Sequence, residues 1–89
     1  MKSFNYVIKD IVGMHARPAG LLVKEAKKYK SKICIARRNG NSDDAAEATK
    51  IMALLALGLK CGEAIIVSVE GEDEESAVVN IQKFFEENL

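Results

Sequence analysis

The apolar residues of this chain pass three times from a period of about two to a period near 3.6, and that alternation restricts the fold more than any other feature. Phe4, Tyr6 and Ile8 alternate with Ser3, Asn5 and Val7, predicting a strand with one face on a core. Ala16, Ala19, Leu22, Val23 and Ala26 then recur along one helical face, with Lys24, Lys27 and Lys28 off it. Ile33–Arg38 reads as a second strand, followed by the turn signal Asn39-Gly40-Asn41. Ser42–Ala46 reads either as a brief third strand or as a loop, Asp43 and Asp44 alternatively preparing the start of the next helix. Ala48–Leu59, with Ile51, Met52, Leu54, Leu55, Leu57 and Leu59, reads as a helix apolar on nearly every side, more than one core face needs. Gly62 separates it from the strand Glu63–Glu70, where Ile65, Val67 and Val69 oppose Ile66, Ser68 and Glu70. After Gly71, Asp73 is placed to cap a final helix with Glu74 and Glu75 in its first turn and a stripe of Ala77, Val78, Ile81, Phe84 and Phe85. The order βαββαβα predicts an α+β open-faced sandwich, a four-stranded, mainly antiparallel sheet covered on one face by three helices.

A chain of 89 residues buries roughly 60–65% of its unfolded surface, enough for one core and not two, so residues 1–89 are expected to form a single domain. Thirteen basic and thirteen acidic side chains cancel, which argues against recruitment of nucleic acid or anionic lipid by a global field and makes any recognition local. Lys2, Asn5, Lys9 and Asp10 interrupt the opening segment, leaving no signal-peptide core, and no run is apolar enough to span a membrane. Cys34 and Cys61 are isolated, and with one histidine they make no zinc site. Cytoplasmic residence with reduced thiols, no metal and no cofactor is the expectation; both cysteines read as small hydrophobes.

Chemistry concentrates where the first helix starts. The single proline, Pro18, is tolerated in a first helical turn because that turn has no intrahelical N–H bonds to lose, so the helix begins at or just after His15, the single histidine. His15 is then an end-cap residue, expected to be exposed and directed outward. Unpaired amides at the helix start, the positive end of the macrodipole and the fixed cation of Arg17 together describe a phosphate-handling site. There is no P-loop and no pair of carboxylates near the histidine in sequence, which argues against a nucleotide or metal enzyme.

Gly13-Met14-His15-Ala16-Arg17-Pro18-Ala19 in a strand–loop–helix context, with Ile51-Met52 and Leu57-Gly58 further on, resembles the HPr family, the histidine-containing phosphocarriers of the phosphoenolpyruvate-dependent sugar phosphotransferase system, over essentially the whole chain. The resemblance implies a carrier rather than an enzyme, most simply a monomer. His15 would accept a phosphoryl group on Nδ1 from phosphorylated enzyme I and pass it to the IIA components of sugar permeases. Arg17 would stabilise phosphoryl charge, and the Ala16 and Arg17 amides would hold the oxygens. Docking of partners would draw on Gly20, Leu21 and Lys24 in the first helix and on Ile51, Met52 and Leu55 in the second, the apolar ones among them reading equally well as core. Where Gram-positive members carry a regulatory serine this chain has Lys50, a permanent positive charge, with Thr49 just before it. Thr49 and Ser42 are alternative hydroxyls for such a modification, though a solvated surface hydroxyl is the simpler reading of each. The Arg37–Glu47 segment is also longer than usual for the family. A paralogous carrier in a regulatory phosphorelay and an unphosphorylated interaction module on the same scaffold are the competing readings.

Overall fold

The computed structural model describes residues 1–40 and 44–89. The chain runs β1 (Lys2–Val7), α1 (Ala16–Ala26), β2 (Lys32–Arg37), β3 (Ala45–Glu47), α2 (Ile51–Ala56), β4 (Ala64–Glu70) and α3 (Glu74–Asn88). The four strands form one sheet in the order β1-β4-β2-β3, every neighbouring pair antiparallel. Because β1 and β2 both run against β4, they are parallel to each other, and α1 is the crossover that joins them. The last long strand therefore enters between the first two. Its inner residues Ile65, Val67 and Val69 are fully buried, and Val67 lies opposite both Phe4 and Ile35.

One face of the sheet carries the core. Ile33 and Ile35 of β2 are buried while Cys34 between them is half-exposed, the period of two that sets one face on apolar cover and the other toward solvent. Ala19, Leu22 and Ala26 of α1, Leu54 of α2 and Ala77, Ile81 and Phe85 of α3 join the same buried cluster. Phe85 meets Phe4 edge-on at 5.9 Å and Tyr6 at 5.5 Å, and the Tyr6 hydroxyl donates to the Phe85 carbonyl at 2.9 Å, giving that half-buried ring's polar tip a partner.

The structure corrects the expected helix over Ala48–Leu59. Only Ile51–Ala56 is helical. The Ala48 amide donates to the Ile33 carbonyl at 2.7 Å, prolonging the sheet edge, and Lys50 is extended at φ −117° and ψ 99°. Gly58, at φ +60°, stops the helix at the other end. The excess of apolar surface has a structural counterpart: of α2 only Leu54 is fully buried. The alternative of a brief strand before this helix is realised as the three-residue β3, whereas Asn41, Ser42 and Asp43 lie outside the described residues.

Asp73 is a second correction. It occupies the N-cap position of α3 but makes no capping bond with its side chain. Its carboxylate turns to the α1–β2 connection instead, accepting from the amides of Lys30 at 2.9 Å and Ser31 at 3.0 Å and from the Ser31 hydroxyl at 2.6 Å. Those donors hold the carboxyl below its ordinary pKa, the Ser31 hydroxyl contributing most. The close approach behind this contact requires glycine: a Cβ on Gly71 would lie 2.6 Å from the Ser31 Cα.

Candidate functional site

Between β1 and α1 the chain makes a tight loop whose backbone groups are tied to two other segments, the C-terminus and the connection between α2 and β4. The Lys9 and Asp10 amides both donate to the Leu89 backbone oxygen, the latter at 2.8 Å. Asp10 Oδ1 accepts from the Val12 amide at 2.8 Å, closing an Asx turn. Gly13, at φ +81°, lies against the segment after α2, where a Cβ would collide with the Leu59 carbonyl and stand 2.9 Å from Lys60 Cα. The Met14 amide donates to that Leu59 carbonyl at 2.9 Å, and the Met14 side chain is buried. A side chain at position 13 is therefore excluded twice, by backbone conformation and by contact.

His15 follows as the N-cap of α1, extended at φ −110° and ψ −175°, with no side-chain capping bond. Its backbone carbonyl accepts from Ala19 at 3.0 Å, so the main chain begins the helix while the imidazole is left out of it. The residue is half-buried rather than exposed as expected: it borders a depression of about 310 Å3 shared with Asp10, Arg17, Pro18, Leu21, Glu87 and Asn88. The Ala16 and Arg17 amides belong to a first turn that has no intrahelical acceptors, Pro18 has no N–H, and no acidic residue occupies that turn. The positive end of α1 thus opens beside the imidazole and the guanidinium, an arrangement suited to holding a phosphoryl group.

The remaining residues expected from sequence are arranged unequally around this corner. Leu21, 45% exposed, lines the depression, and Lys24 lies exposed further along α1. Gly20 is where α1 approaches α2: a Cβ there would be 3.9 Å from Ile51 Cδ1. Ile51 and Met52 are exposed, Met52 at 76%, and Leu55 is half-buried against the core. These three flank the site without lining the depression. Lys50 is the exposed N-cap of α2 and makes no capping bond, as its side chain has no acceptor to offer. The Thr49 hydroxyl donates to Glu47 Oε2 at 3.0 Å.

Sequence reading passed over Asp10, Glu87 and Asn88, which share the depression, and Ile11 and Val12, whose apolar side chains stand 91% and 67% exposed beside it. The Asx-turn pattern at Asp10 was a usable signal. Glu87 and Asn88 carried none, since they reach the site only because the end of α3 packs beneath the β1–α1 loop. Among the described residues no group of three or more metal-ligating side chains converges, and no helix is long and apolar enough to cross a membrane.

The profile of the family described as PTS HPr component phosphorylation site matches residues 2–87. The phosphocarrier protein HPr of Mycoplasma genitalium is 39% identical over 88 residues, covering 99% of this chain and 97% of that protein. Among solved structures, the histidine-containing phosphocarrier protein of a mycoplasma superposes with a TM-score of 0.87 at 32% identity, covering 97% of this chain and 93% of the other. An HPr from Thermoanaerobacter tengcongensis superposes with a TM-score of 0.78 at 38% identity, with both chains covered in full.

Proposed function

The chain belongs to the HPr family of phosphocarrier proteins of the phosphotransferase system, and from that premise we propose that His15 is its phosphoryl acceptor, loaded by phosphorylated enzyme I and discharged to IIA components of sugar permeases. The observation that carries this reading is the imidazole at the N-cap of α1, unengaged by any capping bond, in one depression with Arg17. In the transfer, the Nδ1 lone pair attacks phosphorus, the bond from phosphorus to the donor nitrogen breaks, and the proton stays on Nε2. Arg17 and the first-turn amides of Ala16 and Arg17 offset charge on the phosphoryl oxygens. Asp10 and Glu87 in the same depression oppose it, which favours transfer onward over storage.

Gly20, Leu21, Lys24, Ile51, Met52 and Leu55 form the docking surface in this reading, with exposed Met52 and Leu21 as its apolar contacts. Such a surface suits brief, alternating contact with two partners. The chain acts as one domain, a carrier that is itself the phosphorylated intermediate. Lys50 at the N-cap of α2 supports a variant of this reading, a carrier in a regulatory relay withdrawn from control by a serine kinase.

The test is incubation with phosphoenolpyruvate and enzyme I from the same organism, followed by intact mass and acid treatment, alongside His15→Ala. A single acid-labile phosphate absent from the variant is the expected result. A folded His15→Ala protein that still takes phosphate overturns the assignment, and no uptake by the wild-type protein favours a specialised relay or an interaction module.

A further inference from the structure

The segment between α2 and β4 supports the loop before His15, and it is built to need an external anchor. It contains two glycines in left-handed conformation, Gly58 at φ +60° and Gly62 at φ +90°, and it follows a helix of six residues whose Ala53, Leu54 and Leu55 carbonyls are met by the Leu57 and Gly58 amides, which leaves the carbonyls of Leu57 and Gly58 themselves to find donors elsewhere. Arg37, the last residue of β2, supplies those donors. Its Nη2 donates to the Leu57 carbonyl and, at 3.2 Å, to the Gly58 carbonyl. The same guanidinium grips Glu63, with Nε donating to Oε1 at 3.0 Å and Nη2, shared with the carbonyls, lying 3.3 Å from Oε2. Glu63 Oε2 in turn accepts from the Lys60 amide at 2.6 Å. One guanidinium therefore holds both ends of the segment. Its effect on Glu63 is visible in the carboxyl's pKa, held below the ordinary value first by Arg37 and then by the Lys60 amide.

What lies between the two ends touches the candidate site. The Leu59 carbonyl receives the Met14 amide, the Met14 neighbour Gly13 packs on Leu59 and Lys60, and the His15 amide donates to the Gly13 carbonyl at 3.1 Å. The Gly62 amide also donates to Ile8 at 2.7 Å, and the Ile8 amide to the Glu63 carbonyl at 3.0 Å, so the start of the loop rests on the same segment. Building on the assignment of His15 as acceptor, we propose that Arg37, acting through Glu63 and residues 57–63, is a positioning residue that sets where the His15 imidazole stands. Without the guanidinium the segment pivots at its two glycines, the Leu59 carbonyl moves, and Met14 and His15 move with it. Transfer is sensitive to such displacement because the acceptor nitrogen must meet phosphorus in line.

The experiment measures single-turnover transfer from phosphorylated enzyme I, with backbone amide NMR of the same samples, for wild type, Arg37→Lys, Arg37→Met and Glu63→Gln. In folded Arg37→Met we expect the first-order rate at saturating donor to fall about tenfold, with the half-saturating donor concentration changing less. The amides of Met14, His15 and Ala16 shift while those in the middle of α3 do not, and Arg37→Lys recovers part of the rate by restoring a donor to the carbonyls. If Arg37→Met does not fold, Glu63→Gln carries the test, since it weakens the ion pair and leaves the guanidinium on the Leu57 and Gly58 carbonyls. Folded variants with wild-type rate and unmoved Met14 and His15 amides overturn the proposal. Absence of phosphate uptake by wild type defeats the acceptor assignment instead, and the amide shifts then decide the positioning of His15 alone.

Discussion

The two ends of α1 (Ala16–Ala26) handle their unpaired backbone groups in opposite ways. At the C-terminal end the carbonyls of Val23, Glu25 and Ala26 accept from the amides of Lys27, Lys28 and Tyr29, and the connection to β2 is closed within the fold: Asp73 takes the Lys30 and Ser31 amides and the Ser31 hydroxyl. Glu25 accepts from Lys28 at 3.0 Å and from the Tyr29 hydroxyl at 2.9 Å. At the N-terminal end His15 caps nothing with its side chain, no acidic residue enters the first turn, and Ile11 and Val12 stand exposed nearby. Satisfied polar groups at one end stabilise the fold, while at the other they are left available for a ligand. The loop carrying the open end is nonetheless firmly placed, because its backbone is bonded to Leu59, Gly62, Glu63 and Leu89.

That contrast makes His15→Ala the sharpest probe. Phosphate uptake should vanish, whereas stability in a denaturant titration should change by less than about 1 kcal/mol, since the side chain makes no capping bond. A large loss of stability would show that the open end is a structural cap after all. Gly13→Ala should come next, at roughly 2–4 kcal/mol of destabilisation, because the new Cβ meets both an unfavourable φ and the Leu59 carbonyl. Arg17→Ala should leave the denaturation midpoint in place and slow transfer about 10–100-fold; unchanged rates with both donor and acceptor would remove Arg17 from the site.

The smallest effect is expected from the closed end. Asp73→Asn should leave phosphate uptake intact and alter the acid limb of stability. The Asp73 pKa is lowered in the folded protein, chiefly by the Ser31 hydroxyl, so its contribution is present above the ordinary aspartate pKa. It is lost as pH falls through the lower folded value. The wild-type protein should therefore lose stability over that acid window, and Asp73→Asn should lose less of it. Equal acid limbs in thermal melts would show that the contact is too well solvated to matter.

Legibility tracked the distance over which each feature is decided. Five of the seven elements, β1 (Lys2–Val7), α1, β2 (Lys32–Arg37), β4 (Ala64–Glu70) and α3 (Glu74–Asn88), follow from apolar period and from Pro18, the turn signal at Asn39-Gly40, Gly71 and the acidic turn at Glu74 and Glu75. The helix around Met52 is shorter than its composition suggests: residues 48–59 are almost uniformly apolar, so period does not mark where the sheet edge ends and the helix starts. Asp73 was read as a cap from local pattern, but a carboxylate takes the nearest good donors, and those arrive from Ser31, distant in sequence. At the candidate site His15 and Arg17 were legible because helix start, proline and cation lie within four residues. Glu87, Asn88 and the Arg37–Glu63 pair were not, since each reaches the site through packing.

The sequence by itself determined the element order, the inward faces of the strands and helices, and the placement of one histidine at the opening of a helix, all of them consequences of spacing over a few residues. The tertiary structure alone decided that β4 enters between β1 and β2, that His15 is half-buried beside a depression bordered by the end of α3, and that Arg37 anchors the segment on which Met14 rests. Those depend on which surfaces meet after collapse, a competition among contacts between residues tens of positions apart that no local period encodes.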